Sequence, residues 1–127
     1  LAALREHCAG RLIALFGCGG NRDAGKRAGM GEVAARCADF SVLTSDNPRY
    51  EDPYAIISEI EAGYRKASEN YVAIEEREKA IAYALDLLSD GDILLIAGKG
   101  AEKYQEIMGI KYDYEDKAVV RSIIGKA

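Results

Sequence analysis

The chain has 127 residues, with 49% hydrophobic and 30% charged side chains and a net charge of −4. That balance suits one globular domain with a core that needs neither disulfides nor metals. It excludes a general nucleic-acid binder, which needs a basic excess, and no apolar run approaches the roughly 20 residues of a membrane span. No secretory leader pattern is visible at the start of the sequence. Cys8, Cys18 and Cys37 form no C-x-x-C pair, and His7 is the one histidine. The expectation is reduced thiols in a cytoplasmic protein, without a metal centre. The first residue is Leu1, and "LAALREHCAG" already reads as helical. The chain is therefore expected to be a piece of a longer protein, with neighbouring domains carrying part of the chemistry.

Further along, "RLIALFG" is a short apolar run ending in glycine, which predicts a buried strand at residues 12–16. "KRAGMGEVAARCAD" follows as a helix weakened by Gly29 and Gly31, and "FSVLTS" gives a second strand at 40–44. Asp52 then Pro53 predicts a helix start, a capping carboxylate followed by proline at the first helical position. Behind them Ile56, Ile57, Ile60 and Tyr64 recur at helical spacing. "YVAIE" is a third strand. "EREKAIAYALDLLS" is a helix expected to bury Ile81, Ala84, Leu85 and Leu88. After the turn "SDGD", "DILLIAG" is the most apolar run and is expected to be a central strand. "YQEIMGIKYDYED" is ambiguous, with a strand near 110–114; "KAVVRSII" closes as a helix packing Val119, Val120, Ile123 and Ile124. Strands alternating with helices predict an α/β domain, an open, mostly parallel sheet with helices on both faces.

Three of the strands run into polar loops: "GCGGNRDAGKR", "SDNPR" and "AGKGAE". In an open parallel sheet all strand carboxyl ends lie along one edge, where ligands bind, so these loops should converge. The first loop fits G-x-x-x-x-G-K, but Arg27 stands where a phosphate loop needs Ser or Thr for Mg²⁺. The dinucleotide pattern fails too, with Arg22 in place of the third glycine. What remains is a loop with Arg22, Lys26 and Arg27, which is either an anion site near a helix N-terminus or a solvated charged turn. In the second loop Pro48 restrains Asp46, Asn47 and Arg49, and a fixed Arg49 suits a carboxylate or phosphate; the alternative is a hydrophilic turn. In the third, Gly98 allows close backbone approach, Lys99 can meet an anion and Glu102 a cation; the alternative is surface charge. Together they suit a zwitterionic ligand. Cys18 reads as a small packed thiol rather than a nucleophile, since His7 lies before the first strand.

These loops, "FGCGGNRDAGKRAGMGEVAARCAD", "VLTSDNPRYEDP" and "LLIAGKGAEKYQ", resemble the C-terminal domain of the Mur ligases. More narrowly they resemble the MurE type, which adds the third amino acid to the peptidoglycan precursor UDP-N-acetylmuramoyl-L-alanyl-D-glutamate. The resemblance spans essentially the whole chain, 1–127, as one Rossmann-like domain. It implies an ATP-dependent amide ligase: ATP phosphorylates the D-glutamate side chain and the incoming amine attacks the acyl phosphate. It places ATP and Mg²⁺ mainly on a central domain and the uridine on an N-terminal domain, neither in this chain, against which the C-terminal domain packs and closes. The Asp46-Asn47-Pro48-Arg49 motif matches the meso-diaminopimelate signature. By the same resemblance Arg22 and Arg49 reach the ligand's carboxylates, Gly98 offers its backbone and Glu102 meets the distal ammonium. Asn21, Lys26, Arg27 and Lys99 are candidates for the nucleotide or phosphate side. The sequence departs from the family pattern at Asn21 (usually Asp), in "KRAGMG" (usually "KRPLMG") and at Ala101 (usually His). The alternatives are a ligase adding lysine or another diamine, and a stand-alone, non-catalytic α/β binding module.

Overall fold

A computed structural model of the chain describes residues 9–18, 25–46, 51–97, 104–107, 110–113, 116 and 119–120. Along it alternate β1 (Leu12–Phe16), α1 (Gly25–Cys37), β2 (Phe40–Leu43), α2 (Pro53–Tyr64), β3 (Tyr71–Ala73), α3 (Arg77–Leu87) and β4 (Ile93–Ile96). A hairpin of β5 (Tyr104–Ile107) and β6 (Ile110–Asp113) follows. The first four strands pair in parallel in the order β3-β2-β1-β4, while β5 and β6 form a separate antiparallel sheet.

The strand order dictates where the helices lie. From β1 through β2 to β3 the chain steps one way across the sheet, and from β3 to β4 it crosses back past β1. Parallel crossovers are right-handed, so reversing the step moves the connecting helix to the opposite face. The packing follows. Ala14, Phe16 and Leu43 meet Ala34 and Ala35 of α1 and Ile56, Ile57, Ile60 and Tyr64 of α2. Leu15 and Val42, one residue out of step, meet Ala80, Ile81 and Ala84 of α3, with Val119 and Val120 packed alongside. All of β1 is buried because both its faces are covered.

Local chemistry explains the helix starts and turns. Asp52 is extended (φ −67°, ψ 123°), its carboxylate accepts from the Tyr54 amide at 2.9 Å, and Pro53 occupies the first turn, as expected. Tyr64 is fully buried; its hydroxyl donates to the Asn70 carbonyl at 2.9 Å and lies 3.0 Å from Ser41 Oγ. Before β4, the Asp92 carboxylate accepts from the Arg11 and Ser89 amides and from the Arg11 guanidinium. Those bonds stitch the entry of β4 to the entry of β1.

Three expectations change. The run "DILLIAG" is not central: among the described residues β4 pairs only with β1 and ends the sheet, and its residues are half-buried. One face of it is covered by the α3 side, while Leu95 and Ala97 open into an apolar cavity of about 530 Å³. The ambiguous segment holds two strands rather than one. In α3, Leu85 is half-buried and Leu88 falls beyond the helix end, whereas Arg77 and Ala80 join Ile81 and Ala84 in the buried stripe. The exposed side of that helix is correspondingly rotated. The expected helix at residues 1–8, with His7 and Cys8, and the pair Ile123 and Ile124 lie outside the described residues.

Candidate functional site

The candidate site is built on the carboxyl ends of β1, β2 and β4. Register puts Phe16 opposite Leu43 and Leu15 opposite Ile96, so the three strands stop side by side. The ladder continues one step past them: the Thr44 amide donates to the Phe16 carbonyl at 3.0 Å and the Ala97 amide to the Leu15 carbonyl at 2.9 Å. Strand direction reverses its progress between β1 and β4, which is the switch point where open α/β sheets form a ligand crevice. The first loop springs from one side of that point and the "AGKGAE" loop from the other. The "SDNPR" loop leaves from the adjacent β2. The first loop and the "SDNPR" loop are pressed together: a Cβ on Gly17 would lie 2.9 Å from the Asp46 amide nitrogen, so only glycine fits there.

Of the candidate residues, Lys26, Arg27 and Asp46 are described. Lys26 is exposed at the start of α1 and lines the apolar cavity beside Met30 and Val33. Asp46 is half-buried at the exit of β2. Asn21, Arg22, Asn47, Pro48, Arg49, Gly98, Lys99, Ala101 and Glu102 lie outside the described residues. The structure therefore brings together the strand ends that carry these loops.

Arg27 has a place that residue type alone did not indicate. It is 2% exposed, and its guanidinium donates to Glu59 Oε2 at 2.5 Å and to Glu51 Oε2 at 2.7 Å. Those carboxylates hold its pKa above the ordinary arginine value. Glu51 follows Arg49 by two residues, so Arg27 ties the start of α1 to the exit of the "SDNPR" loop.

A second buried guanidinium does the same from the other side. Arg77 is 2% exposed. It forms a two-pronged pair with Asp116, Nε to Oδ1 at 2.8 Å and Nη2 to Oδ2 at 2.9 Å. Its Nη1 donates to the Ser45 carbonyl at 3.0 Å and its Nη2 to the Ala97 carbonyl at 3.1 Å. These are the residues just before Asp46 and just before Gly98. Breaking such a buried pair by removing one partner costs about 3–5 kcal/mol, because the other charge stays buried. The sequence carried a signal for both arginines. Arg77, Ala80, Ile81 and Ala84 share one buried stripe at i, i+3, i+4 and i+7, and Arg27, Gly31, Ala34 and Ala35 share another. A charged residue on an apolar stripe is a buried, partnered charge.

Cys18 lies at the base of the first loop, 9% exposed, with its Sγ 3.5 Å from Met30 Sδ. Burial, against the opposing pull of Arg27, pushes its thiol up to about 11. The thiolate that a nucleophile requires is thereby suppressed.

The sequence profile described as "Mur ligase, glutamate ligase domain" matches residues 1–100. The chain belongs to the Mur ligase family. It is 49% identical over 125 residues to the UDP-N-acetylmuramoyl-L-alanyl-D-glutamate–2,6-diaminopimelate ligase of Lawsonia intracellularis, covering 98% of this chain and 26% of that protein. It is 51% identical over 118 residues to the ligase of the same name from Chlorobium phaeobacteroides, covering 93% of this chain and 23% of that one. A solved structure of a ligase of that name superposes with a TM-score of 0.91 at 42% identity, over 97% of this chain and 25% of the other. This Mur ligase domain thus spans about a quarter of the curated relatives it matches. Among its described residues no three His, Cys, Asp or Glu side chains lie together as a metal site would need, so no Mg²⁺ ligand is assigned to them. No helix among them is long and apolar enough to cross a membrane.

Proposed function

We propose that this chain is the amino-acid-binding, C-terminal domain of an ATP-dependent ligase that joins meso-diaminopimelate to UDP-N-acetylmuramoyl-L-alanyl-D-glutamate in the bacterial cytoplasm. The observation that carries the reading is the side-by-side ending of β1, β2 and β4, from which the three motif-bearing loops depart. On it, Arg22, Asp46, Asn47, Pro48, Arg49, Gly98 and Glu102 form the diaminopimelate pocket. The guanidinium of Arg49 pairs with the carboxylate that distinguishes diaminopimelate from lysine, and Glu102 with the distal ammonium. Asn21, Lys26 and Lys99 face the nucleotide side. Arg27, from its position against Glu51 and Glu59, supports the loops rather than a phosphate. ATP and Mg²⁺ activate the acceptor carboxylate and belong mainly to the domain that carries the phosphate loop. The 127 residues by themselves therefore have no ligase activity.

The test is Arg49→Ala and Arg49→Lys in the full-length ligase, with kcat/KM measured for diaminopimelate and for lysine. A charge-assisted contact contributes about 1.5–3 kcal/mol, so the preference for diaminopimelate should fall roughly ten- to a hundred-fold. An unchanged ratio, or a wild-type preference for lysine or another diamine, refutes the assignment.

A further inference from the structure

We infer that Arg77, locked by Asp116, is the positioning residue that sets the distance between the "SDNPR" and "AGKG" loops and so the selectivity of the amino-acid pocket; the inference rests on the diaminopimelate-pocket reading. Among the described residues the fork of Arg77 reaches three separate chain segments. One prong pair holds Asp116, one N–H holds the Ser45 carbonyl, and another holds the Ala97 carbonyl. Ser45 and Ala97 lie just past the ends of β2 and β4, which flank β1 on opposite sides, so they do not pair with each other. Arg77 bridges the gap from beneath the sheet's carboxyl edge. Ser45 immediately precedes Asp46 and Ala97 immediately precedes Gly98, so each tether adjoins a residue assigned to the pocket.

The chemistry favours a guanidinium for this task. Its donors are fixed in one plane, so satisfying Asp116 orients the remaining N–H groups toward the two carbonyls. A lysine ammonium carries charge but no fixed fork. Asp116 in turn is only 10% exposed at its side chain, so solvent does not compete for the pair. Arg77 thus acts through the backbone of the loops it holds.

The experiment compares Arg77→Lys and the double variant Arg77→Met with Asp116→Leu in the full-length ligase, with Arg49→Ala alongside. Measured are kcat/KM for diaminopimelate and lysine, KM for ATP, and the thermal midpoint. Arg77→Lys is expected to lower the diaminopimelate-to-lysine ratio about tenfold, the effect of misaiming one charge-assisted contact, with KM for ATP unchanged. The double variant removes both buried charges together and is expected to regain most of the thermal midpoint without regaining the ratio. A scaffold role alone would lower the midpoint and scale both amino acids equally. If the ratio holds in both Arg77 variants while Arg49→Ala lowers it, the positioning role is overturned and the pocket reading stands. If Arg49→Ala also leaves the ratio unmoved, the pocket reading falls. Failure of both Arg77 variants to fold marks the pair as scaffold and overturns the positioning role as well.

Discussion

Gly29 and Gly63 offer a test with opposite signs in two packed helices. Both are helical, and from the sequence each counts as a weak point, since glycine costs about 1 kcal/mol relative to alanine inside a helix. The structure separates them. A Cβ on Gly29 would meet nothing within 4 Å, so Gly29→Ala gains the helical preference and meets no opposing clash. A Cβ on Gly63 would lie 2.7 Å from Ala28 Cα and 2.5 Å from its carbonyl carbon, and would run into the carbonyl oxygen. That neighbour is backbone, not the flexible end of a side chain, so α1 and α2 would have to separate. Gly31 faces Ile60 and Tyr64 in the same way, and the two glycines together set how closely the helices cross.

Overpacking a core costs about 1–3 kcal/mol, and more where backbone must move. Against a helical gain of about 1 kcal/mol, Gly63→Ala should therefore lose a net 2 kcal/mol or so, whereas Gly29→Ala should gain up to about 1 kcal/mol. For a domain of this size each kcal/mol moves Tm by about 3–6 °C. Urea and thermal unfolding followed by circular dichroism give both values. Equal stability of Gly63→Ala and wild type, or a loss in Gly29→Ala, would refute the account of the helix crossing.

Two titrations test the packing elsewhere. The Arg11 amide, then the Ser89 amide and the Arg11 side chain, hold Asp92 below its ordinary 3.8, at about 2. A depressed carboxyl stabilises the fold above the unfolded value and loses that contribution as pH falls through the folded one. The Tm difference between wild type and Asp92→Asn should hold above pH 3.8 and shrink toward pH 2; a difference independent of pH over that window counts against the Asp92 turn. Cys18 is raised from 9.0 to about 11, so its contribution is complete below pH 9 and declines as pH rises toward 11. In the native chain it should alkylate more slowly than Cys37, with the difference lost in urea; rapid native labelling of Cys18 at neutral pH contradicts its buried position.

The legible part of this fold is what periodicity and caps determine. The run at 12–16, the Asp52–Pro53 start and the Ile56, Ile57, Ile60 and Tyr64 stripe depend on local spacing, and each lies where the spacing puts it. The place of β4 was not legible, because an apolar run reports burial but not how many neighbours a strand has; that depends on the order of all four strands. Arg27 and Arg77 were missed for a different reason. Residue type assigns arginine to surface or phosphate, and only its phase on an apolar stripe reveals that it is buried. The family was legible in the motifs of the three loops. Their nearness required the parallel pattern, and the tethers between them required coordinates.

Buried arginines at these positions answer a backbone requirement as well as a loop requirement. The carbonyls of Ser45 and Ala97 lie past the last paired residues of β2 and β4. A buried carbonyl needs a donor, and among the described residues the parallel ladder extends no further to supply one. Serine or lysine in place of Arg77 would offer too few directed N–H or O–H groups to reach both carbonyls and a carboxylate at once. One guanidinium satisfies all three, and in doing so fixes two strand exits relative to each other. At the loop's far end, Arg27 pairs with Glu51 at 2.7 Å and so ties that end to the start of α1. The loop that carries Arg49 is thereby held at both ends by side chains from elsewhere in the domain.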